Sequence, residues 1–206
     1  DSISICSVVP PVTQVFEHLC KNYFSAQTLI IGTGTKTGIK ILYDNPRDVG
    51  TDRIVDAAAA YTLYGGPLII VDFGTVTVFD AITSKGEYLG GALAPGLAMG
   101  ATAMVENTSI LRRVELINPI EPIGKNTPHA MQSGLVLGHI DMVEGMIKRF
   151  KQELGQNAKV IATGGLSNLI TRNSSMFDNV NEDLTLIGLR LIYNMNLTNQ
   201  GRKEVP

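Results

Sequence analysis

Residues 67–82 read PLIIVDFGTVTVFDAI, and this stretch decides the fold class. Residues 68–71 form a short, entirely apolar run, which predicts a buried strand. Val76–Ile82 predicts a second strand. Residues 72–75 lie between the two and include a glycine, which is typical of a tight turn. The stretch therefore predicts two consecutive strands joined by a turn.

Strands and helices are predicted on both sides of this stretch. A turn at Lys85 and Gly86 and a third strand at residues 87–93 complete a β-meander. Apolar residues at helical spacing predict helices at 11–24, 51–64, 95–106, 133–154 and 184–194, and further strands are predicted at 3–9, 28–31, 39–43 and 159–162. The sequence therefore predicts an α/β fold, with a boundary near residues 65–67.

Composition and charge exclude several classes of protein. Of the 206 residues, 44% are hydrophobic and 17% are charged, which is enough apolar material for a packed core and excludes a disordered chain. The formal net charge is -2, and no run of Lys and Arg is longer than the pair Arg112-Arg113. A nucleic-acid-binding module would show a basic stripe, so we expect no nucleic-acid partner.

No segment of the sequence resembles a membrane span or a secretion signal. The apolar stretch at 67–72 is far shorter than the roughly 20 residues of a spanning helix, and residues 89–103 are rich in Gly, Ala and Pro. Cys6 and Cys20 lack the spacing of zinc ligands, so we interpret them as reduced core thiols. These features predict a cytoplasmic protein without a membrane partner.

Asp72-Phe-Gly-Thr75 is the strongest local signal for chemistry. A carboxylate at the end of a buried strand, a glycine that permits close backbone approach and a hydroxyl suit a bound phosphate with its counter-cation. A tight hairpin capped by the aspartate fits the same residues about equally well. Thr163-Gly164-Gly165, after another strand, is a weaker signal for a nucleotide lying on the backbone.

Two polar segments precede predicted helices. Asp52 and Arg53 begin the helix at 51–64, where the helix dipole favours an anion. Asp52 suits the acceptance of a proton from a substrate hydroxyl, and Arg53 suits a two-pronged contact with a carboxylate. Helix capping with a solvated salt bridge is the simpler alternative. Residues 124–127 (GKNT) fit a ligand contact or a helix cap equally well.

Taken together, these motifs resemble type III pantothenate kinases in order and spacing from about residue 2 to residue 196. The residues that carry the resemblance are SVVP at 7–10, KTG at 36–38, YDNP at 43–46, VGTDR at 49–53, DFGT at 72–75, GG at 90–91, PG at 95–96, GKNT at 124–127, QSG at 132–134, ATGG at 162–165 and LTL at 184–186.

The resemblance implies a ribonuclease-H-like fold of the acetate- and sugar-kinase/actin type, with two halves around a cleft. We expect residues 1–66 to belong to an incomplete N-terminal half and residues 67–206 to form the C-terminal half. The implied activity is ATP-dependent phosphorylation of pantothenate to 4'-phosphopantothenate, the first step of coenzyme A biosynthesis. The implied cofactors are ATP with Mg²⁺ and a monovalent cation, K⁺ or NH₄⁺. A homodimer is also implied.

The resemblance also assigns residues to roles. Asp52 is expected to be the base that receives the pantothenate hydroxyl proton. Pantothenate contacts are expected from Gly50–Arg53 together with Tyr43 and Thr127. Asp72 is expected to hold the monovalent cation, and Thr75 to contact ATP phosphate. In detail, the expected substrate contacts are Tyr43, Gly50, Thr51, Asp52, Arg53 and Thr127.

The sequence departs from the family pattern at its start. Family members begin with a strand carrying an Asp-X-Gly-Asn-Thr phosphate loop, whereas this chain starts at Asp1 where the next strand is expected. We therefore expect residues upstream to be missing and the nucleotide site of these 206 residues to be incomplete. A non-catalytic regulatory or accessory protein on the same fold is the main alternative, and another sugar or acid kinase of this fold is a third.

Overall fold

A computed structural model describes residues 2–24 and 26–200. Contacts divide these residues into two compact units. The first unit contains the described residues up to Gly65, the segment Ile82–Gly90 and the described residues from Asp183 onward. The second unit contains Gly66–Ala81 and Gly91–Glu182. Because the first unit includes segments from later in the chain, a single division between residues 66 and 67 stays a prediction.

The first unit contains two parallel strands joined by a helical connection. β1 (Ser2–Ile5) pairs in parallel with β2 (Gln27–Ile30), and α1 (Pro10–Leu19) lies between them in the chain. The first strand ends at Ile5 and not at residue 9 as predicted, and the Val9 carbonyl accepts hydrogen bonds from Val12 and Thr13 at the start of the helix.

Two further helices form the core of the first unit. α2 (Thr51–Tyr64) has the predicted bounds, and it packs on α7 (Leu184–Gln200), which extends beyond its predicted end. β3 (Lys40–Ile41) pairs in parallel with the first residues of β6 (Glu87–Pro95). The buried apolar side chains of this core are Ile31, Val55, Ala58 and Ile192.

The second unit is built on buried strands. β4 (Leu68–Phe73) and β5 (Val76–Ile82) follow the predicted meander, and β4 pairs in parallel with β7 (Lys159–Thr163). β8 (Asn179–Val180) pairs in parallel with β7. The sheet order through this unit is β6-β5-β4-β7-β8.

Helices cover the sheet of the second unit. α3 (Leu97–Glu106), α5 (Gly138–Leu154) and α6 (Ser167–Thr171) supply apolar side chains to its core, and α4 (Thr127–Gln132) precedes α5 in the chain. A π-helical turn at Ser133–Leu137 joins α4 to α5 where a continuous helix was expected from residue 133. The predicted α/β class is confirmed as a mixed fold of parallel and meander strands with helices. No helix within the described residues has the length and apolar character needed to cross a membrane.

Candidate functional site

Asp52 lies exposed at the N-terminus of α2. Its Oδ1 accepts a hydrogen bond from the backbone N–H of Arg53 at 2.9 Å. Gly50 is the residue before the helix, and a Cβ on Gly50 would collide with this carboxylate. Because Gly50 has no side chain, the Asp52 carboxylate has the space to fold back onto the N-terminus of α2.

Thr51 is held by the chain that follows β1. The Cys6 thiol donates a hydrogen bond to Thr51 Oγ1 at 3.2 Å, and the Thr51 hydroxyl lies 3.4 Å from the Ser7 carbonyl oxygen. Burial raises the pKa of the Cys6 thiol, which agrees with its role as a neutral donor. Thr51 also lines a cavity of about 450 Å³ within the first unit, together with Arg47 and several apolar residues.

Three side chains meet beside this helix terminus. The fully buried ring of Tyr88 lies with its centroid 6.4 Å from that of Tyr43. The Arg53 guanidinium carbon lies over the same Tyr88 ring, 5.7 Å from its centroid. Tyr43 and Arg53 are therefore brought together through Tyr88, which lies much later in the sequence.

A second aspartate on α2 has a different environment. Asp56 follows Asp52 by one helical turn and is only 5% exposed. Its Oδ1 accepts a hydrogen bond from Thr185 Oγ1 at 2.6 Å, which ties α2 to α7. The exposed Asp52, and not Asp56, is thus the carboxylate on α2 that a substrate can reach.

In the second unit, Asp72 lies near the end of β4, beside the end of β7. Asp72 is in register with Thr163, the residue before Gly164. Gly164 has a φ of +87°, and a Cβ there would collide with Asp72 Oδ1 and crowd the Phe73 backbone. Because parallel strands have their carboxyl ends at the same edge of the sheet, two of the predicted motifs meet at this point.

Thr75 occupies the exposed turn between β4 and β5. Gly96, the residue before α3, packs so closely on this turn that a Cβ would collide with the Thr75 carbonyl oxygen. The N-terminus of α3 therefore lies next to the turn that carries Thr75. Unpaired N–H groups and the helix dipole make such a terminus favourable for anions, including phosphates.

Thr127 is the first residue of α4 and is exposed. The helix is capped by Asn126, whose Oδ1 accepts a hydrogen bond from the backbone N–H of His129 at 2.9 Å. Thr127 lines a cavity of about 420 Å³ with Lys125 and Met131, among other residues of the second unit. The helix-cap interpretation of the 124–127 motif is confirmed by Asn126, whereas a ligand contact at Thr127 stays a prediction.

No group of three or more His, Cys, Asp or Glu side chains within residues 2–24 and 26–200 could hold a metal ion. A cation beside Asp72 would therefore need further oxygen ligands, such as backbone carbonyls, hydroxyls or substrate phosphates. Potassium and magnesium accept oxygen ligands of this kind. The Asp72 carboxylate beside Gly164 could supply one such oxygen ligand.

Comparison with known proteins decides the family. A family model described as type III pantothenate kinase matches residues 1–149. The chain is 55% identical over 194 residues to a type III pantothenate kinase from Dehalococcoides mccartyi strain BAV1, covering 94% of this chain and 74% of the relative. A type III pantothenate kinase from Myxococcus xanthus is 48% identical over 195 residues, covering 95% of this chain and 76% of the relative. The chain belongs to the type III pantothenate kinase family.

A solved structure has the same fold as this type III pantothenate kinase family member. It is the crystal structure of a conserved candidate Baf family transcriptional activator from Campylobacter jejuni. The TM-score is 0.65, with 96% of this chain and 84% of that chain covered. The sequence identity is 22%, so the likeness concerns the fold alone.

Several residues that the sequence singles out in this pantothenate kinase family member lie close together, and Tyr88, which lies beside two of them, is not among those singled out. The structure brings Tyr43 and Gly50–Arg53 together in the first unit, and Asp72, Thr75 and Gly164 near the strand ends of the second. Tyr88 was treated only as part of a strand. Tyr88 stands two positions before Gly90, which has a φ of +124°. The sequence shows the aromatic residue and the glycine, but it does not show this backbone conformation.

Proposed function

We propose that this chain transfers the terminal phosphoryl group of ATP to the hydroxyl of pantothenate, giving 4'-phosphopantothenate in the first step of coenzyme A biosynthesis. The names of its relatives at 48–55% identity support this activity. The observation within the chain that supports it most strongly is the exposed Asp52 carboxylate at the start of α2, next to Arg53. Those relatives give no support to the regulatory or accessory alternative.

Asp52 is the base in this proposal. The pantothenate hydroxyl oxygen bonds to the terminal phosphorus, the bond from that phosphorus to the bridging oxygen breaks, and ADP leaves. The hydroxyl proton passes to the Asp52 carboxylate. Phosphoryl transfer depends mostly on positioning and charge neutralisation, so an exposed aspartate held by the Arg53 N–H is adequate for this role.

Arg53 is proposed to bind the pantothenate carboxylate. A guanidinium group matches a carboxylate with two parallel hydrogen bonds, which fixes the substrate in one orientation. Tyr43, Gly50 and Thr51 are proposed as further contacts, because they lie around the same helix terminus. Thr127 is also proposed as a substrate contact, and its exposed position at the start of α4 supports the assignment.

Thr75 is proposed to contact the ATP phosphates, supported by its exposed turn beside the N-terminus of α3. Asp72 is proposed to hold a monovalent cation, K⁺ or NH₄⁺, and ATP is proposed to enter with Mg²⁺. Bound cations neutralise negative charge on phosphate oxygens, which lowers the barrier to attack. The position of the Asp72 carboxylate against Gly164 supports this assignment.

We further propose a homodimer, a cytoplasmic location and the acetate- and sugar-kinase/actin type of fold, with ribonuclease-H-like halves divided at residues 66 and 67. The mixed α/β architecture and the family relationship support the fold proposal. Sedimentation of the purified protein measures the oligomeric state directly, and a monomer at the concentrations used for activity would contradict the dimer.

The test of the proposed function is pantothenate-dependent ADP release by the protein as its gene encodes it, measured in K⁺, NH₄⁺ and Na⁺ salts. We expect turnover that needs pantothenate and is stimulated by K⁺ or NH₄⁺ over Na⁺. Asp72→Asn should weaken the stimulation, whereas Asp141→Asn, an exposed aspartate on α5, should retain it. ADP release that is indifferent to pantothenate would contradict the proposal, and equal rates in all three salts would contradict the cation role of Asp72.

A further inference from the structure

We propose that Tyr88 is a positioning residue for pantothenate binding, because its buried ring orients both Arg53 and Tyr43. This inference rests on the proposed function, in which those two side chains contact the substrate. Tyr88 is fully buried and belongs to none of the motifs that the sequence analysis singled out. Three observations support the proposal.

The first observation is the strand register that brings Tyr43 to Tyr88. β3 and β6 pair in parallel, with Ile41 opposite Tyr88. The backbone N–H of Leu42 donates a hydrogen bond to the Tyr88 carbonyl oxygen at 2.8 Å. Tyr43 is the next residue, so its backbone leaves the ladder directly beside Tyr88.

The second observation is the packing of the Tyr43 ring. It contacts the Tyr88 ring at a centroid distance of 6.4 Å and a tilt of 53°, within the range of favourable aromatic pairs. On another side it approaches Gly90, which has a φ of +124° and where a Cβ would lie 3.0 Å from Tyr43 Cε2. Tyr43 is therefore confined between the Tyr88 ring and the Gly90 backbone.

The third observation is the position of Arg53 over the Tyr88 ring, with Cζ 5.7 Å from the centroid. A cation within about 6 Å of an aromatic face is attracted by the ring quadrupole, more strongly where water is excluded. Contact with the ring face involves the plane of the guanidinium, whereas recognition of a carboxylate uses its N–H edge. Tyr88 can therefore fix the direction of Arg53 while the substrate binds at the edge.

A buried ring that acts through two substrate contacts should affect binding more than chemistry. The KM and Kd of pantothenate are expected to rise when the ring is lost, while kcat and the KM of ATP change little. A ring that only filled the core would instead lower stability and leave the pantothenate affinity of the folded protein unchanged.

The experiment compares Tyr88→Phe, which keeps the ring, with Tyr88→Leu, which removes it, in the protein as its gene encodes it. Calorimetric titration with pantothenate and steady-state kinetics are measured on each. We expect Tyr88→Leu to weaken pantothenate binding about tenfold and Tyr88→Phe to change it less than about twofold. Phe79→Leu is the matched control, because Phe79 is an equally buried ring in the second unit and its loss should lower the unfolding temperature without changing pantothenate affinity.

A further variant with pentafluorophenylalanine at position 88 keeps the shape of Tyr88→Phe but reverses the ring quadrupole, so it tests the Arg53 contact even where Tyr88→Leu does not fold. We expect weaker pantothenate binding than in Tyr88→Phe. Unchanged pantothenate affinity in both the leucine and the fluorinated variants would overturn the inference. Where the leucine variant does not fold, unchanged affinity in the fluorinated variant alone would overturn it. If the wild-type protein does not bind pantothenate, the proposed function itself fails, which is a distinguishable result.

Discussion

At the residue scale, Asp52 and Asp56 illustrate how surroundings assign different roles to one residue type. Both lie on the same helix, one turn apart. Asp56 is buried and accepts a hydrogen bond from Thr185, whereas Asp52 is exposed and is bonded to the N–H of Arg53. The position of the Asp52 carboxylate depends on the space left by Gly50, because a Cβ at that position would collide with it.

Gly50→Ala should therefore lower turnover. The backbone at Gly50, with φ at -55° and ψ at 137°, is accessible to alanine, so the effect is a displaced carboxylate rather than backbone strain. Misplacement of a catalytic group by about 1 Å can cost up to roughly 100-fold, and we expect kcat to fall by about tenfold to 100-fold. Gly138→Ala, where a Cβ meets no atom within 4 Å, is the control and should retain the wild-type kcat. A wild-type kcat in Gly50→Ala would show that the carboxylate tolerates the methyl group.

His139 gives a pH prediction for the second unit. Its Nε2 and Thr77 Oγ1 are joined by a hydrogen bond of 3.0 Å, and burial lowers the pKa of the imidazole. An unfolded histidine has a pKa of about 6.5, so below that pH the unfolded chain binds a proton that the folded chain does not. The contribution of the neutral His139 to stability is therefore full above about pH 6.5 and is lost as the pH falls below it.

We expect the unfolding temperature to decrease between about pH 7.5 and pH 5.5, and to decrease less in His139→Gln, which retains a hydrogen-bonding group but does not titrate. Thermal unfolding followed by circular dichroism measures both slopes. Equal slopes in the two proteins would show that His139 does not contribute to the acid sensitivity.

At the element scale, the contact between α2 and α7 organises the core of the first unit. Gly188 on α7 approaches the backbone of α2 so closely that a Cβ would collide with the Val55 carbonyl oxygen. The hydrogen bond from Thr185 to Asp56 lies one turn away on the same pair of helices. This close approach is possible only because residue 188 has no side chain.

Gly188→Ala should lower the free energy of unfolding by about 1–3 kcal/mol, because the helices must separate to accept the methyl group. Gly145→Ala is a matched control on α5, where a Cβ meets nothing within 4 Å. Alanine is favoured over glycine in a helix by about 0.5–1 kcal/mol, so this control should be neutral or stabilising. Urea unfolding measures both values, and a neutral Gly188→Ala would contradict the close approach.

The elements themselves were largely predictable, whereas the contacts between them were not. Thr51–Tyr64 and Val76–Ile82 have their predicted bounds because their apolar spacing and flanking glycines are local signals. The π-helical turn at Ser133–Leu137 was missed because its side-chain pattern is close to that of a continuous helix. Tyr88 was missed for another reason, since its role depends on the register between β3 and β6, which are distant in the sequence.

At the scale of the whole molecule, the family assignment rests on agreement along nearly the entire chain. Relatives at 48–55% identity cover 94–95% of it, and the motifs at residues 49–53, 72–75 and 124–127 lie at the start of α2, at the β4–β5 turn and at the start of α4. Individually these motifs fit helix caps and hairpin turns. Together, and in this order along the chain, they are typical of a type III pantothenate kinase. The central claim that follows is our proposal that Asp52 is the base of this kinase.

The most direct test of that claim is the rate of pantothenate phosphorylation by wild-type protein and by Asp52→Asn. The asparagine side chain has the same shape and retains an oxygen that can accept the Arg53 N–H bond, so folding should be unchanged by circular dichroism. Loss of a positioned general base should reduce kcat by about 10²–10⁴, with little change in the KM of ATP. A folded Asp52→Asn protein with the wild-type kcat would contradict the account and remove Asp52 from the mechanism.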